Sequence, residues 1–274
     1  MLRRFVAAAI LASFVAGAGS AQTPSTPPTA PTKSAPKKAS AKPKAAAKPP
    51  TMAQTGPCRL GVISAVGNRI SVHKFGLTVF ETEESEVPVD WGLDDLILDR
   101  IRAATGADPG VRRIAYSKGA FEPFYHPTSR FLPDPREGLP AIVRGITTNA
   151  GCERYLVVTR FKGQLPSTNL TLDGIGVYSR GIGSLVRHAQ LFANISITLI
   201  DGTSYERINR AFANFGARLA KSLQLGGDDP TKLDNALFPD PAASAASSQV
   251  LRERTRALVA SHMDQSLPAY LKEE

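Results

Sequence analysis

The sequence predicts an α+β protein in which a mostly antiparallel sheet is packed by helices, with one domain over residues 57–238. From Ala189 to Leu199 every odd position is apolar and most even positions are polar, which is typical of a half-buried antiparallel strand. Residues 93–104 place leucine, isoleucine and alanine at helical spacing. Strand runs mixed with separate helical runs in this way favour an α+β architecture.

The first residues predict export. Arg3 and Arg4 precede an apolar run from Phe5 to Ala16, and small residues continue to Ala21, so residues 1–21 are typical of a cleaved signal peptide. A signal anchor is the alternative, but the run is short against the roughly 20 residues that span a bilayer. We therefore expect a periplasmic or extracellular protein that does not span the membrane after cleavage.

Residues 22–56 predict a disordered linker, because they are largely proline, alanine, lysine, serine and threonine and cannot bury a core. Residues 1–56 hold eight of the 33 basic residues and none of the 24 acidic ones, so the remaining chain is close to neutral. This distribution argues against nucleic-acid binding by the domain. The linker lysines could attach the protein to an anionic envelope surface, or the linker could be a solubilising spacer.

Cys58 and Cys152 are the only cysteines. A sparse, even pair in an exported chain predicts one disulfide, whereas two unpaired thiols are the alternative.

The first half of the domain begins with an expected hairpin over 59–80, turning at Gly67-Asn68, followed by a solvated acidic loop at 81–86. The next helix is expected to be capped by Asp90 and ended by Gly106. Its charged residues are interpreted as a solvent-exposed face: Asp94, Asp95, Asp99 and Arg102.

The second half contains a short strand at 111–116, a helix after Asp134-Pro135, and a strand at 154–161. Asp201-Gly202 predicts a hairpin turn. We expect the remaining elements to be a helix at 214–224, a flexible link at 239–248, and a C-terminal segment at 249–274 whose helix docks on the domain or on a partner.

Residues 117–135 form an expected loop that is unusually aromatic for a connection, with Phe121, Phe124, Tyr125 and Phe131. Long loops are often binding loops, and aromatic side chains supply much of the energy at interfaces. The alternative is a flap whose rings pack inward. His126 lies in the same loop and is either a functional imidazole or an ordinary surface residue.

The glycine-rich stretch 170–185 suggests a phosphate loop but lacks its requirements. Counting from either pair of glycines, the position of the third fingerprint glycine is Ser179 or Val186, and a strand follows where a helix is needed. We interpret Gly174 and Gly176 as permitting a bend or a close approach of strands. Arg180 and Arg187 flank the following turn and are candidate partner contacts.

The residues predict no cofactor, nucleotide, metal or catalytic site. A Gly-x-Ser-x-Gly elbow is missing, and the four histidines have no zinc spacing. The favoured hypothesis is a non-catalytic binding or accessory module of the cell envelope, with an envelope protein or anionic polymer as partner. One alternative is an envelope hydrolase with a site near residues 117–135, and another is attachment through the lysine-rich linker.

The element order and the segments "GVIS", "GLTVF" and "VDWGLDD" are similar to those of small secreted bacterial proteins with an α/β envelope domain, over residues 58–225. The "LIDGTSYERI" hairpin more loosely resembles one in curli-secretion lipoproteins and in lipoprotein activators of penicillin-binding proteins. This chain lacks their lipid-bearing cysteine. The resemblance implies a non-catalytic envelope role and supplies no catalytic residue.

Overall fold

The computed structural model describes residues 56–76, 82–128, 134–165, 168–182, 186–209 and 231–271. The expected signal peptide, the linker up to residue 55, Phe131 and the expected helix at 214–224 lie outside the described residues.

The described residues form an α+β fold, which confirms the predicted class. Its strands are β1 (Cys58–Ala65), β2 (Arg69–Phe75), β3 (Glu83–Pro88), β4 (Val111–Arg113), β5 (Cys152–Arg160), β6 (Lys162–Gln164), β7 (Thr171–Asp173), β8 (Ile175–Ile182), β9 (Val186–Ala193), β10 (Ile195–Asp201), β11 (Arg207–Ile208) and β12 (Lys232–Leu233). Its α-helices are α1 (Leu93–Ala104), α2 (Glu122–Tyr125), α3 (Leu139–Thr147) and α4 (Gln249–Leu271).

These strands form two five-stranded sheets and a small ribbon. The first sheet has the order β11-β10-β5-β1-β4, the second sheet has the order β12-β9-β8-β2-β3, and β6 pairs with β7 in the ribbon. Most pairings are antiparallel, but β1 runs parallel to β4 and β5, and β2 runs parallel to β8. Both sheets are therefore mixed.

The predicted hairpin over 59–80 is wrong, because β1 and β2 belong to different sheets. Both strands are buried along most of their length, as expected for strands with neighbours on both sides and a layer on each face. The predicted acidic loop is also corrected, since residues 83–88 form the edge strand β3. Cross-strand ion pairs with β2 favour this pairing, including Arg69 with Glu86 at 3.1 Å.

The alternating run from Ala189 to Leu199 is divided between the sheets, as β9 and β10. The chain passes from one sheet to the other at Asn194, whose backbone N donates to the Gly174 carbonyl at 2.8 Å and whose carbonyl accepts from Phe161 N at 3.0 Å. The alternation continues because Leu191 and Ile197 both face the same core.

Three apolar cores hold these layers together. The main core joins both sheets with α1 and α4. A second core lies on the opposite face of the first sheet, where Ile63 and Val157 pack with Leu139 and Val143 of α3. A third, smaller core lies on the outer face of the second sheet and consists of Phe75, Leu172, Tyr178 and Phe192. We call this third group the outer cluster.

Glycines flank both ends of helix α1. Gly92 is its N-cap, with φ of 60°, and no side chain caps the helix, so the predicted capping by Asp90 is wrong. Gly106, with φ of 64°, follows the last residues of the helix as predicted. Leu93, Ile97 and Ile101 are buried in the main core.

The C-terminal part is more ordered than the sequence predicts. Within 239–248, expected as a flexible link, residues Ala242–Ser247 form a 3-10 helix, and Ala245 is completely buried because its small side chain fits the main core. Helix α4 docks on the domain, with Leu251, Val259, Met263 and Leu267 buried. None of the helices in the described part is long and apolar enough to cross a membrane.

Cys58 and Cys152 form the predicted disulfide. They are directly paired residues of the parallel strands β1 and β5, with their Cα atoms 4.4 Å apart. The bond therefore joins the beginnings of two neighbouring strands in the first sheet.

The glycine-rich stretch lies in the second sheet, where β8 and β9 form a hairpin. A Cβ atom on Gly176 would lie 1.9 Å from the carbonyl oxygen of Ser71, so only glycine permits this approach of β8 to β2. Gly174 has φ of 64° and packs against the side chain of Arg160. Both observations agree with the interpretation of these glycines as structural.

Candidate functional site

The candidate site lies at the carboxyl ends of β1 and β5, which are parallel neighbours. In open α/β sheets this edge is where ligands commonly bind. Five polar side chains lie there, each in contact with another of them or with the backbone at the end of β1, and we call them the strand-end cluster: Ser64, Asp94, Tyr116, Tyr125 and Arg160. They come from β1, α1, the segment after β4, α2 and β5.

Asp94 is the centre of the hydrogen bonding. Its Oδ1 accepts from Ser64 Oγ at 2.5 Å, from Val66 N at 3.2 Å and from Gly67 N at 3.4 Å. Burial raises the pKa of this carboxyl group above its usual value, and the hydrogen bond from Ser64 is the largest opposing influence. The interpretation of Asp94 as part of a solvent-exposed face is therefore wrong, because the start of α1 lies over the turn that follows β1.

Two tyrosines close the end of β1. The Tyr116 hydroxyl donates to the Ser64 carbonyl oxygen at 2.6 Å, and the Tyr125 hydroxyl donates to the Ala65 carbonyl oxygen. Burial raises the pKa of both phenols, that of Tyr125 to about 12. Both hydroxyls consequently keep their protons at neutral pH and act as donors to the strand end.

Arg160 connects the cluster to the second sheet. Its guanidinium lies 4.7 Å from the centre of the Tyr125 ring, a cation–π geometry, and its Nη1 lies 3.8 Å from Glu86 Oε1. The side chain is only 11% exposed, and its backbone N donates to the Tyr125 hydroxyl at 3.4 Å. The positive charge is thus fixed in place between a ring and a carboxylate.

The exposed rim of the site contains one large apolar side chain. Phe161 follows Arg160 directly and is 46% exposed, whereas the rings of Phe124 and Tyr125 are half-buried and lie edge to face at 5.3 Å. His126 is exposed, with Nε2 3.6 Å from Glu122 Oε2.

The predicted loop residues are only partly exposed. Phe121 is 4% exposed and packs edge to face on Tyr116 at 5.0 Å, so it belongs to the second core. The described part of the loop therefore follows the inward-packing alternative, with His126 as its exposed imidazole.

Arg180 and Arg187 lie elsewhere, on the β8–β9 hairpin. Arg180 is exposed and pairs with Phe75 at the end of β2 farther from the strand-end cluster. Arg187 is in β9, paired with Gly181. The strands that carry these arginines belong to the second sheet, whereas the described aromatic residues of the loop pack on the first.

The contacts of the strand-end cluster hold the residues at the ends of β1 and β5 in a fixed geometry. A nucleophilic serine requires a base such as histidine, but Ser64 Oγ donates to the Asp94 carboxylate, and His126 is paired with Glu122. Within the described ranges no group of three or more histidine, cysteine, aspartate or glutamate side chains is placed to hold a metal ion.

Sequence reasoning missed Ser64, Asp94, Tyr116, Arg160 and Phe161. Ser64 stands inside an apolar run, and Asp94 directly follows the first residue of α1, so neither has a local pattern that marks it. Only Phe161 carries a signal, since it stands at the very end of the strand-like run 154–161.

A cavity of about 210 Å³ lies near the opposite end of β1. It is lined by Arg59, Leu60, Ala104, Thr105, Asp108, Val111, Arg154, Leu199, Tyr270 and Leu271. The hydrogen bond from Arg59 lowers the pKa of Asp108 at its edge. Because the two helices α1 and α4 end here, arginines at this position also offset the partial negative charge of helix C-termini.

The fold and site define an α+β domain of two mixed sheets, with one disulfide inside the first sheet and a half-buried polar cluster at the end of a parallel strand pair. Comparisons of the chain with protein-family models, with curated proteins and with solved structures found no match.

Proposed function

We propose that the chain is an exported, soluble protein of the cell envelope that acts as a non-catalytic binding or accessory module. The observation that carries this proposal is the exposed Phe161 beside the strand-end cluster. In this proposal the rim formed by Phe161, Phe124 and His126 contacts an envelope protein.

Rigidity of the underlying residues supports a binding role. The Tyr125 ring below the rim is held by its hydroxyl bond to Ala65 and by the Arg160 guanidinium. A preordered surface loses little conformational entropy on binding. Aromatic and arginine side chains are also enriched among the residues that dominate binding energy at interfaces.

The disulfide supports export, because such bonds persist in oxidising compartments and are rare in reducing ones. Together with the signal-peptide pattern of residues 1–21, it favours the periplasm or the extracellular space.

The test is capture of partners from envelope extract by the full mature chain, followed by affinity measurement with the captured protein. Phe161→Ser should weaken binding by at least about tenfold, which is the scale expected of an interface hot spot. Val250→Ser is the matched control, since Val250 is a similarly exposed apolar residue, at 42%, in a different element. Equal affinities of the two variants would contradict the role of the rim.

Attachment through the linker is a second candidate, because six lysines and no acid occur in residues 22–56. Binding of this kind to anionic vesicles should disappear at high salt and when residues 22–56 are deleted. Salt-insensitive binding would contradict it.

A further inference from the structure

His73 is a buried imidazole that the proposed site does not use. It lies on β2, where Ile70 and Val72 face the main core while His73 and Phe75 face the opposite side of the second sheet. Its side chain is only 2% exposed. The ring stacks on Phe75, with centroids 5.7 Å apart, and lies 5.8 Å from the Phe192 ring, so it borders the outer cluster.

The His73 Nε2 atom has no hydrogen-bond partner among the described residues, although it is completely buried. Its nearest acid is Glu84, whose Oε1 lies 3.9 Å away, beyond hydrogen-bond distance. Glu84 is on the edge strand β3, directly opposite His73 in the register, and its side chain is 62% exposed. A buried polar atom without a hydrogen-bond partner destabilises the native state, so its presence calls for an explanation.

Charged groups surround this imidazole from several elements. Glu84 faces it from β3, Asp173 from β7 and Lys162 from β6, and the last two are paired at 3.6 Å. From β8 comes Tyr178, whose hydroxyl donates to Gln190 of β9. Burial lowers the pKa of His73, against the opposing influence of Glu84 and then Asp173. The ring is therefore neutral at neutral pH. Once protonated, it is attracted by the carboxylates of Glu84 and Asp173.

The element that covers the outer cluster is short. The β6–β7 ribbon has strands of only three residues each, and Leu172 is its buried side chain. Among the described residues, Ser71 Oγ of β2 donates to the Asp173 carbonyl of the ribbon at 2.8 Å, and Asn194 Nδ2 donates to the Leu172 carbonyl at 2.7 Å. Short elements with few contacts open at low free-energy cost.

We propose that His73 is an acid-operated latch, which on protonation turns from the outer cluster toward Glu84 and releases the β6–β7 ribbon from the second sheet. An imidazolium held beside Phe75 and Phe192 would face the Glu84 carboxylate at 3.9 Å without forming a hydrogen bond to it, and a buried charge that is incompletely paired is costly. Moving outward, it gains a carboxylate but gives up its stacking on Phe75. Acid thereby exposes an aromatic surface that is covered at neutral pH, and this inference is independent of the proposed function.

The experiment uses the full mature chain with its disulfide intact. Amide hydrogen exchange is measured from about pH 7.5 downward until NMR shows that His73 is protonated, because the pKa of this buried ring lies below the ordinary histidine value, and it is converted to protection factors. We expect protection of the ribbon amides, including those of Gly163 and Leu172, to fall at least about tenfold in acid. NMR of the histidine ring nitrogens reports the protonation of His73 in the same samples.

Two variants make the outcome specific. His73→Phe keeps a ring among the aromatic neighbours but cannot be protonated, so its ribbon protection should not change with pH. His126→Phe removes the exposed imidazole and should retain the wild-type response. An equal acid response in His73→Phe would overturn the proposal, as would protonation of His73 in the wild type without loss of ribbon protection.

Glu84→Gln keeps the inference testable if His73→Phe does not fold. Loss of the Glu84 charge should shift the midpoint of ribbon release to lower pH, because that charge favours the protonated ring. An unchanged midpoint would overturn the proposal.

Discussion

Asp94 is a half-buried and His73 a buried titratable side chain, and their surroundings differ. Asp94 Oδ1 accepts three hydrogen bonds at the end of β1, whereas His73 Nε2 has no partner in the described part of the second sheet. The first arrangement fixes a turn and a helix start in one geometry. The second leaves a group whose protonation the surrounding structure opposes. Burial alone therefore does not distinguish a polar residue with a structural role from one whose protonation changes the structure. The hydrogen-bond partners of the residue make that distinction.

The largest effect should come from Asp94→Ala. This change leaves Ser64 and the amides of Val66 and Gly67 without their acceptor, and we expect a loss of about 2–4 kcal/mol in the free energy of unfolding. Urea denaturation measures it. Asp95→Ala is the control, because exposed Asp95 pairs with Arg113 at the surface and its removal should cost at most about 1 kcal/mol. Similar losses in both variants would show that Asp94 contributes no more to stability than an exposed aspartate.

Ser64→Ala should have a smaller effect, about 1 kcal/mol, since it removes one of the three donors to Asp94. It should also raise the pKa of Asp94 further, because the Ser64 hydroxyl is the main influence that lowers it. Carboxyl carbon NMR titration checks the second effect. A lower Asp94 pKa in the variant would show that Ser64 does not stabilise the carboxylate.

The pH dependence of stability should have opposite signs for the two groups. The folded-state pKa of His73 is lowered, so its contribution is present above the unfolded value near 6.5 and is lost as the pH falls through the folded value. The folded-state pKa of Asp94 is raised, so its contribution is present below the unfolded value near 3.8 and is lost as the pH rises through the folded value.

Urea denaturation across this pH range should show both slopes in the wild type. His73→Phe should remove only the loss of stability below about pH 6.5, and Asp94→Asn should remove only the change of opposite sign at lower pH. If Asp94→Asn instead abolished the first slope, the assignment to His73 would be wrong.

The smallest effect should come from Glu84→Gln at neutral pH. Glu84 is mostly exposed and His73 is neutral there, so the stability at neutral pH should hardly change. The NMR pKa of His73 should nevertheless fall, because a charge that raises it is lost. An unaltered His73 pKa would show that the charge of Glu84 does not influence the protonation of the His73 ring.

The sequence predicts those features that depend on local periodicity. The helix around Ile97, the strand around Val157 and the alternation from Ala189 to Leu199 are all present, because each buries one face or both. Division of the strands between two sheets could not be predicted, since Asn194 resembles any polar position of the alternating run. The same holds for Gly67-Asn68, which marks a turn without showing whether the strands on either side pair.

The candidate site was less predictable than the fold. The sequence marks the loop containing Tyr125 as a candidate binding loop, but the contacts of Tyr125 with Ala65 and Arg160 join residues 35 and more positions apart in the chain. Asp94 illustrates the same limit, because an aspartate in the first turn of a helix is usually exposed and stabilised by the helix dipole. Only the tertiary position of α1 over the end of β1 buries it.

The disulfide has a mechanical consequence. Cys58 is the first residue of β1, and its bond reaches β5, the middle strand of the first sheet. Tension applied through the preceding chain would therefore load two neighbouring strands at once through a covalent link. The β1 strand could not be peeled away alone, and its adjoining hydrogen bonds with β5 would share the load.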